Sequence, residues 1–258
     1  MAIPPELDAA LQDFAAQQTL LVCVDFDGCV AELVADAAAA RPVPVNAEAL
    51  ERLAQVDGVR LAYVSGRPLQ TLQELASPPA PALLFGSHGA ERWLGPDSAG
   101  LELDDEQAAE RREVLSTLET VAAEHEGAWV EHKPAGGAIH VRRMDDPTLG
   151  EAVLDQARSA LALVDGAHIK EGKQVLEALV VQSSKGEAIE ELRELTSADA
   201  VFFAGDDVTD EQGFAVLREG DVGLKVGPGE TRADFRVPEP ANLAEVLHRI
   251  AQLRDRAS

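Results

Sequence analysis

A set of uninterrupted apolar runs, each stopping on a short polar segment, limits the folds open to this chain more than any other feature. Leu20-Leu21-Val22-Cys23-Val24 stops on Asp25-Phe26-Asp27-Gly28, and Ala200-Val201-Phe202-Phe203-Ala204 stops on Gly205-Asp206-Asp207-Val208-Thr209-Asp210. Runs with no polar residue on either parity must be covered on both faces, the condition of parallel strands lying between helix layers. Strands at 59–64, before Ser65-Gly66-Arg67, and at 82–87 fit the same plan, with helices expected at 46–55 and 68–76. The pattern resumes late in the chain with helix 185–195, strand 200–205, helix 210–218, strands at 221–226 and 234–237, and a terminal helix over 241–253. Such alternation predicts an α/β fold with a Rossmann-like, doubly wound parallel sheet, whose ligands bind at the carboxyl ends of the strands.

Between these halves the periodicity changes. A long helix at 105–125 leads to polar-faced strands at 128–133 and 137–143, joined through Pro134-Ala135-Gly136-Gly137, a hairpin signal. A second helix at 148–162 and strands near 167–170 and 174–181 complete the segment. The expected organisation is a core of residues 1–103 and 184–258 and an inserted α+β cap of residues 104–183.

The net charge of −24 argues against nucleic acid or an anionic membrane as a partner. No apolar run is long enough for a membrane helix, and the first residues lack a signal peptide's basic-then-apolar order, so a cytoplasmic monomer is expected. Cys23 and Cys29 are the only cysteines and read as two reduced, apolar thiols on or beside one strand. Lysines stand only at 133, 170, 173, 185 and 225, so each is a candidate for a specific task.

The polar segments define a phosphate chemistry. Asp25 and Asp27, one residue apart, leave an extended segment on the same face, and Gly28 lets the chain turn after them. One carboxylate can attack phosphorus while the other protonates the leaving oxygen and then activates water. Ser65, Gly66 and Arg67 offer a hydroxyl and consecutive amides for phosphoryl oxygens. Lys185, opening a helix after Ser184, would neutralise both attacking carboxylate and phosphate. The crowded acids Asp25, Asp27, Asp206, Asp207 and Asp210 need a hard cation among them, and Mg²⁺ suits oxygen donors. Asp206 is the first choice as ligand; Asp207 and Asp210 could instead orient bound water or cap helix 210–218.

In the insert, Glu131 with Lys133, His140 with Arg142, and Lys173 with Glu177 each share a strand face opposite apolar neighbours. A sheet rich in donors and acceptors on one side suits a polyhydroxylated ligand.

The order and content of the core segments resemble the Mg²⁺-dependent phosphatases of the haloacid dehalogenase superfamily. Adding the insert's Glu-x-Lys, His-x-Arg and Gly-Lys-x-x-x-Glu, then Lys-Gly, Gly-Asp-Asp-x-Thr-Asp-Glu and Gly86-Ser87-His88-Gly89-Ala90-Glu91, the chain resembles the trehalose-6-phosphate phosphatase family along nearly its whole length. Cys29 departs from the usual Thr, and Ala178 from the Pro after the lid Glu. The resemblance implies an aspartyl-phosphate mechanism on a sugar phosphate, with Glu131, Lys133, His140, Arg142 and Glu177 gripping the sugar and His88 lining the same cleft. A phosphatase of another sugar phosphate such as sucrose 6-phosphate, a phosphomutase, and a non-catalytic sugar-phosphate sensor are the rival readings.

Overall fold

The computed structural model describes residues 3–98, 101, 103–172 and 174–257. Lys173, a predicted sugar-binding residue, lies outside them. By internal contacts the chain divides into two compact units, residues 1–98 with 183–258, and residues 99–182.

The first unit begins with α1 (Pro5–Ala15), β1 (Leu20–Val24), α2 (Pro44–Leu53), β2 (Val59–Val64), α3 (Leu69–Ala76), β3 (Leu83–Gly86) and β4 (Glu91–Trp93). The inserted unit follows with α4 (Asp105–Ala123), β5 (Trp129–Lys133), β6 (Gly136–His140), α5 (Pro147–Leu161), β7 (His168–Gly172) and β8 (Val175–Leu179). The first unit then resumes with α6 (Lys185–Thr196), β9 (Ala200–Gly205), α7 (Asp210–Phe214), β10 (Val222–Val226), β11 (Phe235–Val237) and α8 (Leu243–Ala257).

Its sheet runs β11-β10-β9-β1-β2-β3-β4 and is parallel except where β4 pairs antiparallel with β3. Residue parity sends the apolar run of β1 to both faces. Leu20, Val22 and Val24 join α1, α2 and α8 residues such as Phe14, Leu50 and Leu247. Leu21 and Cys23 join Ile189 and Leu192 of α6 and Phe203 of β9. Both cysteines are buried and unpaired.

The insert is a four-stranded antiparallel sheet, β5-β6-β8-β7, covered on one face by α4 and α5. A capping box starts α4: Asp104 accepts from the Gln107 amide at 2.8 Å, and the Gln107 side chain accepts from the Asp104 amide at 3.1 Å.

Several elements differ from their predicted extents. The apolar face of α1, Leu7, Leu11 and Phe14, recurs at helical spacing behind Pro5, and the helix escaped the sequence reading. Helix α7 is only five residues long; its Gly213 has no room for a side chain beside the Phe203 ring. Strand β6 begins at Gly136, leaving Pro134-Ala135 alone as the hairpin turn, and ends at His140, so Arg142 lies in a turn rather than on the strand. No described helix is long and apolar enough to cross a membrane.

Candidate active site

The carboxyl ends of the adjacent strands β1 and β9 bring Asp25 and Asp206 together, and α6 and α7 add Lys185 and Asp210. One oxygen from each of Asp25, Asp206 and Asp210 lies within 4.8 Å of the other two. Gly28, at φ +72°, permits this approach, because any β-carbon there would run into the Asp206 carboxylate.

Lys185, 2% exposed, lies 3.0 Å from Asp25 Oδ1 and donates to Asp210 Oδ1 at 2.7 Å. Burial alone would depress this ammonium, but Asp25 and Asp210 outweigh it and keep it protonated. Burial pushes the Asp25 carboxyl well above the usual range, against the pull of Lys185 and with the charge of Asp210 adding to it. The 3.0 Å contact is that of an ion pair, so Asp25 is the carboxylate partner of a permanent cation.

Asp210 is fully buried, and both its oxygens are committed. Besides holding Lys185, it accepts from the amides of Asp206 at 2.9 Å and Asp207 at 3.0 Å. It therefore shapes the turn that presents Asp206, and Gly205 is required beside it because a β-carbon would overlap its carboxylate. Asp207 accepts from the Thr209 amide and hydroxyl, both at 2.7 Å, and from the Asp210 amide at 3.3 Å. Burial opposes its ionisation, but Lys185 and the Thr209 hydrogen bonds hold its carboxyl below the ordinary range. Its side chain locks the entry to α7 and lies outside the close trio of acids. Asp206, by contrast, is pushed up to about 7, first by burial and then by Asp210 and Asp207. Lys185 and Lys225 oppose that rise without cancelling it.

Two of the predicted site residues pair with each other. Asp27 does not turn its carboxylate to the trio: Arg67 Nε and Nη2 each donate to one of its oxygens at 2.6 Å. The same pair occupies the Arg67 guanidinium, which also sits 5.3 Å from the Phe26 ring centroid. Ser65, buried, accepts from the Arg67 amide at 3.2 Å. The His88 amide donates to the Ser65 carbonyl at 2.9 Å, and its ring packs against Gly66 so closely that a β-carbon there would collide with it. Glu91, the last residue of the Gly86–Glu91 motif, anchors this turn by accepting from Ser87 Oγ at 2.5 Å and from the Leu69 amide at 3.2 Å.

In the insert, strand register places Trp129, Glu131 and Lys133 on one sheet face with Ala138, His140, Glu177 and Lys170. Lys133 donates to Glu177 across β6, whose residues between them, Gly136 and Ala138, have almost no side chain to obstruct it. His140 Nε2 meets Glu131 Oε2 at 2.9 Å and its Nδ1 meets Arg142 Nη2 at 2.9 Å. Because Arg142 can only donate, Nδ1 accepts and Nε2 carries the proton toward Glu131. That hydrogen bond, more than Lys133 and Arg142, holds the Glu131 carboxyl below its ordinary range despite burial. Trp129 stacks on the His140 ring, centroids 4.1 Å apart and planes 7° from parallel. Its parity with Glu131 and Lys133 was the available signal for it.

A parallel sheet with acids and a buried lysine at its carboxyl ends, interrupted by an α+β insert, defines a haloacid dehalogenase-like fold. A haloacid dehalogenase-like hydrolase from Bacteroides thetaiotaomicron is similar to it in fold, with a TM-score of 0.63 at 18% identity over 90% of this chain. The family model described as Trehalose-phosphatase matches residues 23–241, and the chain belongs to that family. It is 34% identical over 228 residues to the trehalose-6-phosphate phosphatase of Escherichia coli (strain K12), covering 83% of this chain and 79% of that protein. It is 32% identical over 247 residues to the bifunctional trehalose-6-phosphate synthase/phosphatase of Thermoproteus tenax, covering 95% of this chain. It spans only 33% of the length of that relative. The C-terminal domain of C. albicans trehalose-6-phosphate phosphatase superposes with a TM-score of 0.75 at 22% identity, over 98% of both chains, a likeness of fold.

Proposed function

We propose that this protein is a cytoplasmic, monomeric phosphatase that hydrolyses trehalose 6-phosphate to trehalose and phosphate. The first unit carries the phosphoryl chemistry and the insert selects the sugar. The observation that carries the reading is the buried Lys185 held between Asp25 and Asp210, because it keeps a nucleophilic carboxylate beside a fixed positive charge. A binding protein for the same ligand has no use for that arrangement.

An Asp25 oxygen attacks phosphorus, forming an aspartyl-phosphate as the bond to the sugar oxygen breaks. Asp27 gives its proton to that oxygen, which leaves as a trehalose hydroxyl. Asp27 then takes a proton from water, whose oxygen attacks phosphorus and releases phosphate, returning Asp25 to a carboxylate. Both transfers require Asp27 to give up one of its two contacts with Arg67. Lys185 and the Ser65–Gly66 turn neutralise and orient the phosphoryl oxygens. The all-oxygen donor set fits Mg²⁺: Asp25 and Asp206 would hold it, with Asp210 fixing the turn behind them. When bound, Mg²⁺ supplies the positive charge that lets a phosphate dianion enter among carboxylates. On the insert, Glu131, Lys133, His140, Arg142 and Glu177 present alternating donors and acceptors to the disaccharide hydroxyls, and His88 orders the phosphate turn from behind Gly66.

A phosphate-release screen with Mg²⁺ over trehalose 6-phosphate, sucrose 6-phosphate and glucose 6-phosphate tests this. The expected result is highest kcat/KM on trehalose 6-phosphate and none in excess chelator. No release from any of them, or a preference for sucrose 6-phosphate, overturns it.

A further inference from the structure

Lys225 and Lys185 are the buried lysines among the described residues, and the reaction above uses only Lys185. Lys225 lies within β10, directly beside Gly205 in the parallel pairing of β10 with β9, and is 4% exposed. Its ammonium donates to the main-chain carbonyl of Asp206. It also stands 3.8 Å from Glu211 Oε1, a buried oxygen with no hydrogen-bond partner of its own. The other Glu211 oxygen accepts from the Arg232 amide at 2.7 Å. A strand position between Leu224 and Val226 could be filled by an apolar residue without the cost of desolvating a charge. The lysine there ties three elements together: β10, the first residue beyond β9, and the first turn of α7.

We infer that Lys225 is a positioning residue for the metal site, fixing the turn from Asp206 to Asp210 so that the Asp206 carboxylate stays beside Asp25. Its contact is with the Asp206 backbone, not the carboxylate, so it restrains the ligand's place without occupying a coordination position. Glu211 balances its charge at short range, so the Lys225–Glu211 pair repels an incoming cation little. Positioning, and not charge, is then what its removal takes away. The inference rests on the metal-assisted reading given above.

The test is calorimetric titration of the full chain, stripped of metal, with Mg²⁺ alone. Lys225→Met/Glu211→Gln deletes both charges together, so the local net charge is unchanged while the tether is lost. Removing an outer partner of a metal ligand weakens binding roughly 10- to 100-fold, and this double variant is expected to fall in that range. Glu211→Gln alone should bind within about 3-fold of the parent, since the Lys225 hydrogen bond to Asp206 remains. If the double variant fails to fold, Lys225→Gln, too short to reach the carbonyl, replaces it with the same expected loss. A folded variant with unchanged or tighter Mg²⁺ binding overturns the inference, as does lowered thermal stability with affinity intact, the mark of a purely structural lysine. Asp206→Asn is measured alongside: if it too binds Mg²⁺ like the parent, the metal assignment itself falls, and Lys225 is not the point of failure.

Discussion

Replacing Asp206 by Asn is expected to make the metal-free protein more stable near neutral pH while abolishing the Mg²⁺ binding proposed for the site. The Asp206 carboxyl, ordinarily at 3.8, is pushed up to about 7 by burial and by the charges of Asp210 and Asp207, with Lys185 and Lys225 in opposition. Below about pH 3 the group is protonated in folded and unfolded chains alike and costs nothing. As pH rises toward 7 the unfolded chain releases this proton while the folded chain keeps it, so stability falls; above 7 the whole cost is present. At about 1.4 kcal/mol per unit the shift corresponds to about 4 kcal/mol, and the partial exposure of Asp206 screens this to roughly 2 kcal/mol. Asn has the same shape and no charge, so it removes the cost. Urea unfolding in excess chelator checks this: at about pH 8 the variant should be more stable by roughly 2 kcal/mol, and at about pH 5 by less than half of that. Saturating Mg²⁺ should reverse the order, because binding stabilises only the chain that can bind. A variant no more stable than the parent at about pH 8 in chelator would refute the reasoning.

Asp25→Asn should reduce phosphate release to background without loss of thermal stability, since an amide is a poor nucleophile; substantial residual turnover removes Asp25 from its role. Glu131→Ala, Lys133→Ala and Glu177→Ala should each lower kcat/KM for trehalose 6-phosphate, because a lost charged hydrogen bond costs about 1.5–3 kcal/mol, roughly 10- to 150-fold. Hydrolysis of p-nitrophenyl phosphate should change far less, and equal losses on both substrates would show that these residues serve the fold or the phosphoryl chemistry instead.

The parallel sheet was legible because burial on both faces leaves a run such as Leu20–Val24 no polar position at all. Residues at strand ends, Asp25 and Asp206, could be placed for the same reason. Side-chain pairings between distant segments were not legible. Nothing local to Ser65-Gly66-Arg67 says that the Arg67 side chain reaches back 40 residues to Asp27. The two commitments of Asp210, to Lys185 and to its own turn, depend on helix α6 arriving from beyond the insert. Lys225 was marked only by the scarcity of lysine, because its partner is a backbone carbonyl and leaves no trace in the residue pattern. In the insert, alternation gave the face, but Trp129, of the same parity as Glu131, carries no charge to mark it as part of a polar surface.

The insert keeps an apolar core of its own, built from Val114, Leu118, Ile139, Val153, Leu161 and Leu176 among others, and no residue of it belongs to the two cores that sandwich the parallel sheet. Changes at sites with no shared partners add rather than couple. A substitution on the polar face of the insert therefore takes no residue from the two cores that pack the sheet behind Asp25 and Asp206. For a lineage of enzymes this amounts to a division of evolutionary labour. One half of the chain is held still by the demands of breaking a phosphate ester, while the other is free to drift among the sugars that carry one.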